Sequence, residues 1–200
     1  MRNPFDRPEK FPERGDDDVI SLYAAIGAIL THWEIAENAF AHLFGTFVSP
    51  TKLSFPAERA YGSVQSARGR KDFILSAAEV FFRNFPEQET VPKEHRLEKQ
   101  LTKLMTDYDK AGSRRNEFAH GIVAGHVWEG RHDFTGYYLG PSFWNTNKRG
   151  VHFEPAYIYN ADQINSYRQK FGDLTSRAFE LQRRIQEHFA AAPEEPRKRH

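Results

Sequence analysis

Apolar residues recur at steps of three and four along Leu22, Ile26, Ile29, Trp33, Ala36, Phe40, Leu43 and Phe47. That spacing predicts a long amphipathic helix. Asp16-Asp17-Asp18 supplies N-cap oxygens and negative charge at its start, and Ser49-Pro50 stops it. A second helix is expected to open at Pro56, where proline costs little, and to read through Tyr61, Val64, Phe73, Ile74, Ala77, Val80 and Phe81. Gly69 weakens its middle, and Asn84-Phe85-Pro86 ends it. A third helix is predicted from about Lys93 to His120, with Leu97, Leu101, Leu104, Met105 and Tyr108 as its buried stripe and Gly121 as its stop.

The texture changes after Gly121. Ile122 to Tyr159 is rich in β-branched and aromatic residues and punctuated by Gly125, Gly130, Gly136, Gly140-Pro141 and Gly150. About three short strands are expected there, near Ile122–Trp128, Phe134–Leu139 and Val151–Tyr159. Asn160-Ala161-Asp162 caps a last helix whose stripe is Ile164, Tyr167, Phe171, Leu174, Ala178, Leu181, Ile185 and Phe189. The predicted class is mainly α: an up-down bundle of about four helices with a small antiparallel β insert before the last one.

Composition narrows this picture without changing it. A chain of 200 residues, 14% of them aromatic, can bury one proper core. The net charge of +1 offers no general argument for nucleic-acid binding, so any such binding must come from local clusters. The absence of cysteine excludes disulfides and thiol chemistry. No apolar run approaches the roughly 18 residues of a membrane helix. Residues 1–16, charged and carrying Pro4, Pro8 and Pro12, are expected to be a flexible segment, residues 17–190 the domain and 191–200 a disordered tail. The chain is expected to be soluble and cytoplasmic, with no membrane association and no cofactor.

Chemistry is concentrated at the end of the third helix. At about 100° per residue, Leu101, Met105, Tyr108, Gly112, Arg115 and Ala119 fall near one line. Arg115, with Asn116 beside it, therefore belongs to a stripe that should be buried, where a guanidinium needs a partner. Glu37 lies inside the apolar stripe of the first helix and Glu34 at its edge. Arg115 is the natural partner for Glu37, although Arg68, Arg70 and Lys71 of the second helix also present themselves to that carboxylate. His120, at the helix end, can take or give a proton near neutrality, but five residues place it about 140° from Arg115 on an ideal helix. Arg68, Arg70, Lys71 and Arg114 are candidates for RNA phosphates, or for a solvated helix face. His126, His132 and His152 are weaker candidates for a metal site, as in a metal hydrolase built on the insert, because their spacing matches no tight motif. The aromatic insert, including Trp128, Phe143, Trp144 and Phe153, either stacks bases or packs the sheet.

Arg115-Asn116-Glu117-Phe118-Ala119-His120 resembles the motif of HEPN domains, helical bundles with an Arg, a following polar residue and, after a short gap, a His. Arg115, Asn116 and His120 match those positions, and Glu34 or Glu37 matches an acidic residue on the first helix. The resemblance covers roughly Asp17 to Gly121 and the last helix, whereas the strand-rich insert departs from a plain helical bundle. It implies a metal-independent endoribonuclease acting as a homodimer, with Arg115 and His120 as catalytic residues, Asn116 assisting and Glu37 or Glu34 supporting. It also implies an alternative. Some HEPN proteins are non-catalytic binding or dimerisation modules, and others are toxin or defence components that meet a neutralising protein partner.

Overall fold

The computed structural model describes residues 3–50, 55–87, 91–92, 95–125, 135–142 and 155–191. The chain is mainly helical, with α1 (Val19–Val48), α2 (Phe55–Ser63), α3 (Ala67–Asn84), α4 (Leu97–His120) and α5 (Ala161–Ala191). Strands β1 (Gly121–Gly125) and β2 (Tyr137–Pro141) pair antiparallel between α4 and α5, Gly121 opposite Pro141 and Gly125 opposite Tyr137. Two compact units are present. One comprises Met1–Ile35 and Lys110–Asp173, and the other Ala36–Asp109 and Leu174–His200.

The predicted stripes are the cores of these units. In the first unit Leu22, Ile29, Phe118, Tyr167 and Phe171 are buried, and Phe171 takes both Phe5 and Trp33 against its ring. In the second, Phe40 packs on Tyr108, Phe44 on Tyr61 and Phe73, and Phe81 on Phe47 and Phe189. Those ring contacts join α1, α2, α3, α4 and α5 in a helical bundle. Helix α1 is long and apolar enough to cross a membrane by length and composition alone, contrary to the expectation from its run of residues. Its Leu22, Ile29, Trp33 and Ala36 face is packed within the protein.

The helix signals held at most ends. The Asp18 carboxylate accepts the amides of Ile20 and Ser21, and those hydrogen bonds hold it below the usual carboxylate range. Asn160 accepts the amide of Gln163 at the start of α5. Asp16 serves that second helix too, through the amide of Ala161 at 2.8 Å.

Two expectations are corrected. The single helix expected over 56–84 is broken at Val64-Gln65-Ser66, where Ser66 caps α3 through the amide of Gly69. Five helices result among the described residues, and the phase resets: Ile74, Ala78, Phe81 and Phe82 are buried while Phe73 and Val80 are exposed. The third strand is reduced to one bridge, Leu139 with Tyr159, and residues 151–154 of that expected strand lie outside the described residues. Within residues 3–16 some side chains are packed. Phe5 is 1% exposed, Pro12 is buried, and Asp16 bridges to Tyr137. Proline forbids helix there but does not prevent Phe5 and Phe11 from finding apolar surface.

Gly136 makes that last bridge geometrically feasible. Its φ of +107° is a backbone conformation L side chains rarely adopt, and a Cβ would stand 2.8 Å from the Asp16 carbonyl oxygen. Gly136→Ala is expected to cost about 1–3 kcal/mol. Thermal unfolding, together with faster amide exchange at Asp16 and Tyr137, checks this; unchanged exchange at both amides would contradict it.

Candidate functional site

The end of α4 is shaped by Gly121. A Cβ on it would lie 2.6 Å from Leu139 Cδ1 and 2.8 Å from the Glu117 carbonyl oxygen, so only glycine lets β2 close on the helix terminus. The last two turns before it carry Arg114 to His120.

Arg115 lies in a loose setting. Its Nη2 stands 3.9 Å from Glu34 Oε1, its Nη1 donates to Asn116 Oδ1 at 3.3 Å, and its Nε has no hydrogen-bond partner among the described residues. The Arg115 side chain is 31% exposed and Glu34 67%, so the pair is weak. Asn116 and His120 are exposed. The structure therefore joins Arg115, Asn116 and Glu34. Among the described residues no hydrogen bond or ion pair links His120 to them, as five residues of helix dictate. What remains at Arg115 is a partly exposed, weakly paired guanidinium edge, able to take an anion.

The pairing of Arg115 with Glu37 is corrected. Glu37 is buried, with its Oε2 3.0 Å from Arg70 Nη1 and receiving the Tyr61 hydroxyl at 2.9 Å, and its Oε1 receiving the Tyr108 hydroxyl at 2.8 Å. Arg70 also donates to the Val64 carbonyl in the α2–α3 break and lies over the Tyr61 ring. Burial alone would lower the Arg70 pKa, but Glu37 more than offsets it and the pKa is raised. Arg70 is thus the charge partner that the Glu37 position required. The alternative partners on the second helix were visible in the sequence; what placed Arg70 there was the helix break.

Of the other basic candidates, Lys71 pairs with Asp109 at 3.5 Å and Arg68 is exposed. Arg114 is nearly covered, bound to Glu117 Oε2 at 2.8 Å and to the Tyr159 hydroxyl at 3.3 Å, so it is not presented as a free phosphate ligand. Only Arg68 of this set keeps the exposed form that RNA contact requires. His126, His132 and His152 lie outside the described residues, as do Trp128, Phe143, Trp144 and Phe153. Among the described residues no group of three or more His, Asp or Glu side chains is placed to hold a metal.

Glu117 is the residue that sequence reasoning passed over. Its Oε1 accepts both Nε and Nη2 of Arg7, at 3.0 and 2.6 Å, and its Oε2 accepts Arg114 and the Tyr159 hydroxyl, the latter at 2.6 Å. The spacing of Arg114 and Glu117 was a legible signal for their pairing. Arg7, 110 residues away, carried none.

The two carboxylates hold their tyrosines neutral. Burial is the largest cause at Tyr61, Tyr108, Tyr157 and Tyr159, and Glu37 or Glu117 adds to it, so all four ionise above the usual tyrosine range, Tyr157 pushed up to about 12. Tyrosines of an unfolded chain ionise near about pH 10. Above that pH the unfolded chain sheds protons that the folded chain keeps. Stability is therefore full below about pH 10 and falls as pH rises toward the folded values, by about 1.4 kcal/mol per pH unit for each such tyrosine. The urea midpoint is expected to drop steeply between about pH 10 and about pH 11.5. A flat midpoint over that range would contradict this account.

No protein-family model, curated protein or solved structure matches this chain.

Proposed function

We propose that this chain is a HEPN-like, metal-independent endoribonuclease, with Arg115 and His120 as its catalytic residues and Asn116 assisting. The observation that carries this reading is the state of Arg115. Its guanidinium is partly exposed, with an exposed Glu34 at 3.9 Å and Asn116 Oδ1 at 3.3 Å as its partners among the described residues, in the same two helical turns that present Asn116 and His120 to solvent. Arg70, by contrast, is bound to Glu37 at 3.0 Å and donates to the Val64 carbonyl.

In the proposed reaction the RNA 2′-hydroxyl attacks the adjacent phosphorus. The new O2′–P bond forms as the P–O5′ bond breaks, leaving a cyclic phosphate and a free 5′-hydroxyl. The 2′-hydroxyl must lose its proton and the departing O5′ must gain one. An imidazole performs such transfers near neutral pH, and His120 is the one at hand. Charge that builds on the phosphoryl oxygens is met by the fork of Arg115. Because Arg115 and His120 diverge by about 140° on one helix, the two come from different copies of the chain, meeting in the cleft of a homodimer. A cytoplasmic role as a toxin or defence nuclease, restrained by a neutralising protein, belongs to the same reading.

A second reading is a non-catalytic HEPN-like binding or dimerisation module. It is favoured by the absence, among the described residues, of any bond joining His120 to Arg115. The deciding experiment is incubation of labelled single-stranded RNA and tRNA with the protein in EDTA, followed by end-group analysis. Cyclic-phosphate ends support the nuclease. Intact RNA in the presence of well-folded protein overturns it in favour of the module.

A further inference from the structure

Residues 3–18 meet α4 along one line. Lys110, Arg114 and Glu117 stand at steps of four and three, on a single helical face. Lys110 Nζ reaches Asp6 Oδ1 at 2.7 Å, and Glu117 receives Arg7. The segment is held from beneath as well. Phe5 stacks on Phe171 at 5.6 Å between ring centroids, the Tyr167 hydroxyl donates to the Asp6 carbonyl at 2.9 Å, and Arg7 lies over the Tyr157 ring. At its far end Asp16 exchanges backbone hydrogen bonds with Tyr137.

Glu117 is where these supports meet. One carboxylate receives the N-terminal segment through Arg7, its own helix through Arg114, and Tyr159, which in turn is bridged to β2 at Leu139. It sits between Asn116 and His120 in sequence, so whatever fixes Glu117 fixes the turn from which Arg115, Asn116 and His120 project. Charge-assisted hydrogen bonds to a largely covered carboxylate are strong enough to hold a helix terminus that would otherwise fray.

We propose that residues 3–18 are a strap whose Arg7–Glu117 contact sets the direction of the last two turns of α4, making Arg7 and Glu117 positioning residues for Arg115 and His120. The positioning role in catalysis rests on the nuclease reading above; the strap itself does not. Misplacing a catalytic group by about 1 Å can cost as much as 100-fold in rate, so a strap that moves the helix end by less should show a smaller loss.

The test uses the full chain and three variants, Arg7→Ala, Arg7→Lys and Arg14→Ala. Arg14 is exposed on the same segment and among the described residues its side chain pairs with Asp17, so it controls for changes in the segment's charge. Amide exchange over residues 113–121 is measured first. Arg7→Ala is expected to raise it at least several-fold, Arg7→Lys to restore much of the protection and Arg14→Ala to leave it unchanged. RNA cleavage is measured beside it, with Arg7→Ala expected to lower kcat about tenfold while KM moves less than about twofold. Unchanged exchange in Arg7→Ala overturns the strap, whatever the cleavage. Raised exchange with unchanged kcat in a cleaving protein overturns the positioning role. If wild type cleaves no RNA, the nuclease reading fails and the exchange measurement alone decides the strap.

Discussion

His120→Ala is expected to lower RNA cleavage by about 10²- to 10⁴-fold, the range that general acid–base catalysis supplies, while the protein stays folded. His120 is exposed and among the described residues carries no bond that the fold depends on. Arg115→Ala is expected to cost about 10²- to 10³-fold, the scale of removing one donor aimed at developing negative charge. Arg115→Lys should recover little of that. An ammonium keeps the charge but loses the planar fork that takes two phosphoryl oxygens together. Single-turnover cleavage in EDTA, with circular dichroism of each variant, makes the comparison. If both alanine variants cleave within about threefold of wild type, catalysis is not centred on this motif. A further outcome separates one-chain from two-chain chemistry. Mixing His120→Ala with Arg115→Ala protein should restore part of the activity only where the two residues act from different copies.

Arg70→Ala is expected to cost about 3 kcal/mol or more of fold stability. The reason is the group left behind. Glu37 is 7% exposed, and without Arg70 its charge stays in the core, receiving the Tyr61 and Tyr108 hydroxyls. Glu37→Gln should cost less, because a neutral amide oxygen still accepts a hydroxyl and Arg70, 22% exposed, can reach water. Arg70→Ala in a Glu37→Gln background should then cost under about 1 kcal/mol, a coupling of about 2 kcal/mol between the two residues. Urea unfolding of the four proteins at constant m gives these differences. An Arg70→Ala midpoint indistinguishable from wild type would mean that Glu37 does not depend on this ion pair.

The elements that were legible in the sequence share one property: their signals are local. The three-and-four spacing from Leu22 to Phe47 and from Ile164 to Ile185 marks the buried faces of α1 and α5. Asp18 and Asn160 sit where a helix start leaves amides without partners. Gly121 sits where the chain turns from helix to strand. In each case the residues that form the signal lie within a turn or two of one another, so helix geometry alone connects them. The break at Val64-Gln65-Ser66 was less legible because apolar spacing continued across it, and Ser66 announces a cap only when its neighbours leave the helix.

The candidate site divides along the same line. That Arg115, Asn116 and His120 share one helix end was determined by the sequence itself, since the spacing of residues on a helix needs no other part of the chain. That Glu37 needs a cation was also determined there, because a carboxylate inside an apolar stripe must be paired wherever it lies. Which cation answers it, and which carboxylate Arg7 answers, only the tertiary structure decided. Arg70 and Glu117 are not distinguished by composition or spacing from Arg68 or Glu34. They differ in burial and in what folds against them, and those depend on contacts between residues 33 and 110 positions apart, which no local periodicity encodes.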